Sequence, residues 1–153
     1  MGAVPEISMK VTMLLADAAQ VVGGKLYILG GGWSLIGPDP TPMAIVLKID
    51  VPWDQANVRH SLKLALLDDD GKPFIVPTPT GDRPVELTAD FEAGRPPGLK
   101  PGTPLGVPLA INIGPLPLKP DTGYVWQCSV DDRTAEDWRL PFTTRPAQQP
   151  SQR

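Results

Sequence analysis

The sequence predicts an all-β chain. It reads as a single antiparallel β-sandwich of eight or nine strands, of the immunoglobulin, C2 or jelly-roll kind, with an open β-barrel as the alternative. Three observations carry this. First, 20 prolines and 15 glycines among 153 residues separate apolar runs instead of forming one tract, which is turn punctuation. Second, several of those runs alternate apolar and polar residues with period two. Third, no stretch of ten or more residues keeps a helical period and escapes Pro or Gly. Short strands with turn signals every 8–15 residues point to a sandwich or barrel.

Taken in order, residues 1–8 form a flexible arm before a domain over 9–144. Lys10 to Leu15 is an apolar run suited to a first strand, and Asp17 to Gly24 is a connection ending in the Gly23-Gly24 turn signal. Lys25 to Leu29 is a strand containing the strong β-formers Tyr27 and Ile28. Gly30-Gly31-Gly32 interrupts it, marking a bulge, a bend or a close backbone approach. Trp33 to Ile36 continues the strand, and Gly37 to Pro42 is a proline-rich loop.

Met43 to Val51 alternates cleanly, with Met43, Ile45, Leu47, Ile49 and Val51 on one face and Lys48 and Asp50 on the other. Val58 to Leu67 places His60, Leu62, Leu64 and Leu66 on one face. Asp68-Asp69-Asp70-Gly71 is a hairpin turn into Lys72 to Val76. Pro77 to Pro84 is a turn cluster. Val85 to Glu92 alternates throughout, so one side is buried. Ala93 to Pro104 is a long Pro/Gly loop. Leu105 to Ile113 is a strand whose Pro108 requires an edge position or a bulge. Tyr124 to Val130 and Trp138 to Thr143 close the set as a hairpin, across which Trp126 and Trp138 can stack. Residues 145–153 have no apolar pattern and read as a disordered tail.

Two blocks carry a resemblance. Leu14 to Gln20 followed by Gly24-Lys25-Leu26-Tyr27-Ile28-Leu29-Gly30, and later Leu64 to Gly71, resemble a group of short bacterial proteins known only as a domain of unknown function. In that group an Asp-Ala segment ends the first strand, and a Gly-Lys-Leu strand ending in Gly follows. The resemblance spans roughly residues 9–75. It implies a small β-sandwich in the bacterial cytoplasm, with no assigned activity and no catalytic residues to carry over.

Bulk chemistry excludes several functions. The net charge is −3 and the 14 basic residues are scattered, whereas nucleic-acid binding needs a basic stripe. One cysteine, Cys128, and one histidine, His60, supply neither a disulfide nor a zinc ligand set. One cysteine also fits a reducing compartment. No apolar stretch approaches the ~18–20 residues that span a bilayer. The short apolar run Val11 to Ala16, flanked by Asp17, reads as a core strand and not as a signal peptide.

The candidate sites are few. Gly30, Gly31 and Gly32 do not form a phosphate loop, because Lys25 is followed by Leu26 and a strand, with no helix. They are a structural bend or a place where a partner approaches the backbone. Asp68, Asp69 and Asp70 in one turn and Asp131 and Asp132 in another are either solvated turns or, if consecutive strands alternate so that both turns share one end, a weak calcium site. Cys128 and His60 are read as buried, with nothing to place them together. Trp33 and Trp53 at strand ends serve packing or a partner. No nucleophile motif is present and no cofactor is implied. The expectation is a non-enzymatic, cytoplasmic protein-interaction or assembly module, its partner another protein or a second copy, in a cell or a phage particle. The alternative is a small-ligand or calcium-binding sandwich.

Overall fold

A computed structural model describes residues 9–147. The predicted arm 1–8 and the tail from 148 onward lie outside the described residues. Along the chain come β1 (Lys10–Val22), β2 (Lys25–Gly31), β3 (Leu35–Ile36), β4 (Met43–Val51), β5 (Arg59–Leu67), β6 (Ile75–Thr78), β7 (Gly81–Pro84), β8 (Glu86–Glu92), β9 (Leu105–Ile113), β10 (Gly123–Val130) and β11 (Arg139–Thr144). A single 3-10 turn, Trp53–Gln55, follows β4. Among the described residues no helix is long and apolar enough to cross a membrane.

Two sheets form the all-β sandwich. One has the order β2-β1-β4-β9 and the other β3-β11-β10-β5-β8. The pairing is antiparallel except for the short parallel contact of β3 with β11. Alternation explains the core. Val11 and Leu15 of β1 and the Met43-Ile45-Leu47-Ile49-Val51 face of β4 meet Leu62, Leu64 and Leu66 of β5, Tyr124, Trp126, Cys128 and Val130 of β10, and Phe142 of β11. Each fully buried aliphatic or aromatic side chain contributes about 1.5–3 kcal/mol. Pro108 sits on β9, an edge strand, opposite Lys48, where its missing N–H costs no ladder bond.

The first hairpin departs from the sequence reading. Asp17 to Val22 is not a connection: β1 continues through it, and only Gly23 and Gly24 turn the chain, both at positive φ (57° and 73°). Positive φ at both central residues is the requirement of a tight type I′ hairpin. The strand pairs with β4 over Lys10 to Ala16 and with β2 from Ala16 to Val22. The second half thus forms a two-stranded ribbon that curls over the outer face of the sheet. Asn112 on β9 fastens it: its side-chain amide donates to Ala19 O at 2.8 Å, and Ala19 N donates back to Asn112 Oδ1 at 3.2 Å. Beneath the ribbon, Ala16, Ala19, Ala44 and Val46 form a second buried cluster. This is why Ala44 and Val46 are buried although they share the alternation face of exposed Lys48.

Smaller corrections follow. The Asp68–Gly71 turn yields only a single bridge, Leu67 with Pro73. The predicted turn cluster 77–84 instead holds β7, which pairs with β6 as a separate two-stranded flap. β5 takes β8 as its ladder partner. Across the last hairpin Trp126 faces Leu140, while Trp138 O accepts from Cys128 N, so the tryptophans are not directly opposed. Arg145 lies in the ordered domain: its N–H donates to Ile36 O at 2.8 Å and its guanidinium to Gly37 O at 2.9 Å.

Candidate interaction site

The ribbon buries only part of its apolar surface. Leu26 and Ala19 face the second cluster, but Val22, Tyr27, Ile28 and Leu29 stay open. Leu29 is 69% exposed, Val22 53% and Tyr27 52%. Of the large apolar side chains that are exposed among the described residues, most belong to this ribbon. The outer edge of β2 has no strand partner there. An open, apolar edge strand is a surface that soluble proteins ordinarily protect.

The three glycines lie at the end of that edge. Gly30 stands opposite Asp17 with φ near 60°, and a Cβ on it would lie 2.8 Å from the Asp17 carboxyl carbon. A Cβ on Gly31 would press on Ile28 and Leu14. Gly30 and Gly31 are therefore crowded by neighbouring side chains, whereas Gly32 has open space beside it and needs glycine only for its positive φ of 93°. Gly32 N donates to Leu15 O at 2.7 Å, after which the chain crosses to the second sheet through Trp33. Trp33 lines a cleft of about 550 Å³ with Asp17, Leu35, Ile36, Thr41, Pro42 and Arg145. Its ring stands edge-on to Phe142 at 6.1 Å, and its Nε1 is buried without a hydrogen-bond partner. Leu35, 47% exposed, extends the apolar rim.

Trp53 is placed differently. The Arg95 guanidinium lies over its ring at 4.4 Å and donates twice to its carbonyl oxygen, at 2.7 and 3.2 Å. One ring face is thus taken by its own chain, and the pair ties the 93–104 loop to the end of β4.

The acidic turns do not meet. β5 and β10 are antiparallel neighbours, with Leu67 opposite Val125 and Leu62 opposite Val130. Asp68 follows the end of β5 and Asp131 the end of β10, so the turns leave at opposite ends of the sheet. The expectation of a shared end counted four reversals between the two turns; β7, inside the predicted turn cluster 77–84, adds a fifth and sends the second turn to the other end. No group of three or more metal-ligating side chains forms among the described residues. Both turns have local work. Asp68 Oδ1 accepts from Asp70 N and Lys72 N at 2.9 and 3.0 Å, the local bonding that favours Asp in turns. Asp69 packs its carboxylate against Gly123. Asp131 accepts from Ser61 N at 2.9 Å and meets His60 Nδ1 at 2.7 Å. Asp131 and Asp132 both adopt positive φ, and Asp132 is exposed.

His60 is 2% exposed, stacked on Phe91 at 5.3 Å, and presents Nε2 to no partner. Partial burial works against ionisation of Asp131, but hydrogen bonds from His60 and Ser61 and the charges of His60 and Arg133 outweigh it and hold its carboxyl below the usual range. Burial pushes the Cys128 thiol up to about 12, far from the thiolate a nucleophile needs.

Compared with known families, residues 11–143 match the family of unknown function DUF6941. The chain belongs to this family. No curated protein and no solved structure matches it significantly. The region shared with DUF6941 takes in nearly all of both sheets, the ribbon and the Trp33 cleft apart from Arg145.

In this DUF6941 member the sequence pointed to Trp33 and Gly30–Gly32 but missed Tyr27, Leu29, Asp17 and Asn112. Four consecutive apolar residues, Leu26 to Leu29, read as a strand, and an unbroken apolar run carries no alternation to say which side stays open. The available signal was the Gly23-Gly24 pair. A two-residue hairpin places β2 next to β1, and among the described residues no strand pairs with its other edge.

Proposed function

We propose that this domain is a non-enzymatic module for protein–protein interaction or assembly in the cytoplasm, and that it engages its partner through the β1–β2 ribbon and the adjoining Trp33 cleft. The observation that carries the reading is the unpaired β2 edge with Tyr27 and Leu29 more than half exposed beside it. Folding gains nothing from leaving those side chains in water. Covering them would return about 25 cal/mol per Å² of apolar area. Strand addition would also satisfy the free backbone groups of β2.

The titratable groups support the same reading. His60 and Asp131 are engaged with each other, Cys128 is buried with a raised pKa, and none of these lines the Trp33 cleft. The lone reduced cysteine suits a reducing compartment.

The test is a photocrosslinking amino acid placed at Tyr27, with the exposed Glu92 of β8 as control, in cells of the native source. The expected result is discrete adducts from position 27, to itself or another protein, and none from position 92. No adduct at 27, or the same adducts from both, overturns the reading.

A further inference from the structure

We propose that the β2 edge pairs antiparallel with β2 of a second copy, joining the two β2-β1-β4-β9 sheets into one continuous sheet across a two-fold axis. The inference rests on the interaction reading above and names its partner.

The two sheets of the sandwich end in four edges among the described residues, and three are defended. β9 carries Pro108. β3 is two residues long. β8 displays exposed Glu86, Asp90 and Glu92. Charges, prolines and shortness are the ordinary means of blocking edge pairing. β2 is seven residues long without proline, and its one charge stands at its first residue: the sequence is Lys-Leu-Tyr-Ile-Leu-Gly-Gly.

The register follows from symmetry. Residues opposed across an antiparallel pair must both point their backbone groups toward the partner or both away. A two-fold axis must therefore pass beside a residue that faces itself. Only Ile28 as that residue pairs all seven residues of β2, Lys25 to Gly31. Tyr27 then lies opposite Leu29 of the second copy, an aromatic–aliphatic pair of the kind that stabilises sheets. The two lysines do not face each other. Lys25 of one copy lies opposite Gly31 of the other, where no side chain obstructs it. Hydrophobic pairing at the centre, with no like charges opposed at either end, makes this edge complementary to itself.

The register gives a sharp test. Residues on the axis have Cα atoms about 4.5–5.5 Å apart, within the 4.4–6.8 Å range a disulfide needs. Diagonal neighbours such as the two Leu29 residues stand about 7–8 Å apart. Purified Ile28→Cys is expected to cross-link to a covalent dimer on mild oxidation, while Leu29→Cys stays uncross-linked. Buried Cys128 does not interfere. In sedimentation at micromolar concentration the wild type is expected at twice the monomer mass and Leu29→Lys at the monomer mass. Leu29 is exposed, so this variant folds, which circular dichroism checks. A monomeric wild type overturns the inference, as does a dimer indifferent to Leu29→Lys or equal cross-linking at positions 28 and 29. A monomeric wild type that still gives Tyr27 adducts to a different protein sinks this inference and leaves the interaction reading standing.

Discussion

Asn112 holds both backbone polar groups of Ala19, a residue 93 positions away in sequence, with its side-chain amide donating at 2.8 Å and its oxygen accepting at 3.2 Å. The contact imitates one rung of a β-ladder between strands that are not neighbours. It decides where β1 leaves its sheet, and so how much of β2 is left open to solvent.

Replacing Asn112 by Ala removes both bonds and leaves the buried Ala19 groups to find water. The expected loss is about 1–2 kcal/mol, since a typical net hydrogen bond is worth about 1 kcal/mol and an orphaned buried group costs more. Urea denaturation measures it. Amide exchange at Ala19 is expected to accelerate more than at Leu64 in the core, and equal acceleration at both sites would argue against a local clasp.

Gly30 combines positive φ with the Asp17 carboxylate where a Cβ would go. Gly30→Ala is expected to cost about 1–3 kcal/mol, the range for a strained non-glycine backbone. Adding Asp17→Ala should return the steric part and leave the backbone part. A single variant as stable as wild type in thermal melts would show that the β2 edge can shift there.

Much of this was legible in the chain, and the rest was lost for identifiable reasons. Met43 to Val51 and Leu105 to Ile113 were predicted to the residue, because in each every second residue is apolar and the run is bounded by Pro or Gly. Pro108 announced an edge. The second half of β1 was hidden, because Asp17 and Gln20 are polar and the alanines between them favour no strand; it is a strand because β2 and Asn112 hold it. The acidic turns were misplaced because Gly81 to Pro84 reads as turn residues; the missed β7 adds one reversal between the two turns and moves the second to the opposite end. Trp33 was found by type and position, whereas the openness of Tyr27 and Leu29 depends on what fails to cover them.

Asp131 gives the fold a pH dependence with a definite sign. Its folded carboxyl titrates below its ordinary value of 3.8, so near that pH the unfolded chain binds more protons. Its stabilisation is full above the unfolded pKa and is lost as pH falls through the folded one. Asp131 is 41% exposed, so solvent screening keeps the effect small. Asp131→Asn keeps a residue that tolerates positive φ and removes the charge. The melting temperature of wild type is expected to exceed that of the variant at neutral pH and to converge on it in strong acid. A gap unchanged from pH 7 to pH 2 would assign the contribution to shape alone.

Cys128 is fully buried between β5 and β11, in line with Leu64 on one side and Trp138 on the other. With its thiol pushed up to about 12 by burial, almost none is thiolate at neutral pH, and the reagent has no path to it. Alkylation by iodoacetamide at pH 8 is therefore expected to be absent in the native protein and complete in concentrated urea. In intermediate urea the labelled fraction should track global unfolding, because β5 and β10 lie inside their sheet and have no local opening that would expose the sulfur. Labelling that runs ahead of the loss of tryptophan fluorescence would reveal a partial opening of the β10–β11 hairpin, and would place the weakest part of the sandwich there and not at the ribbon.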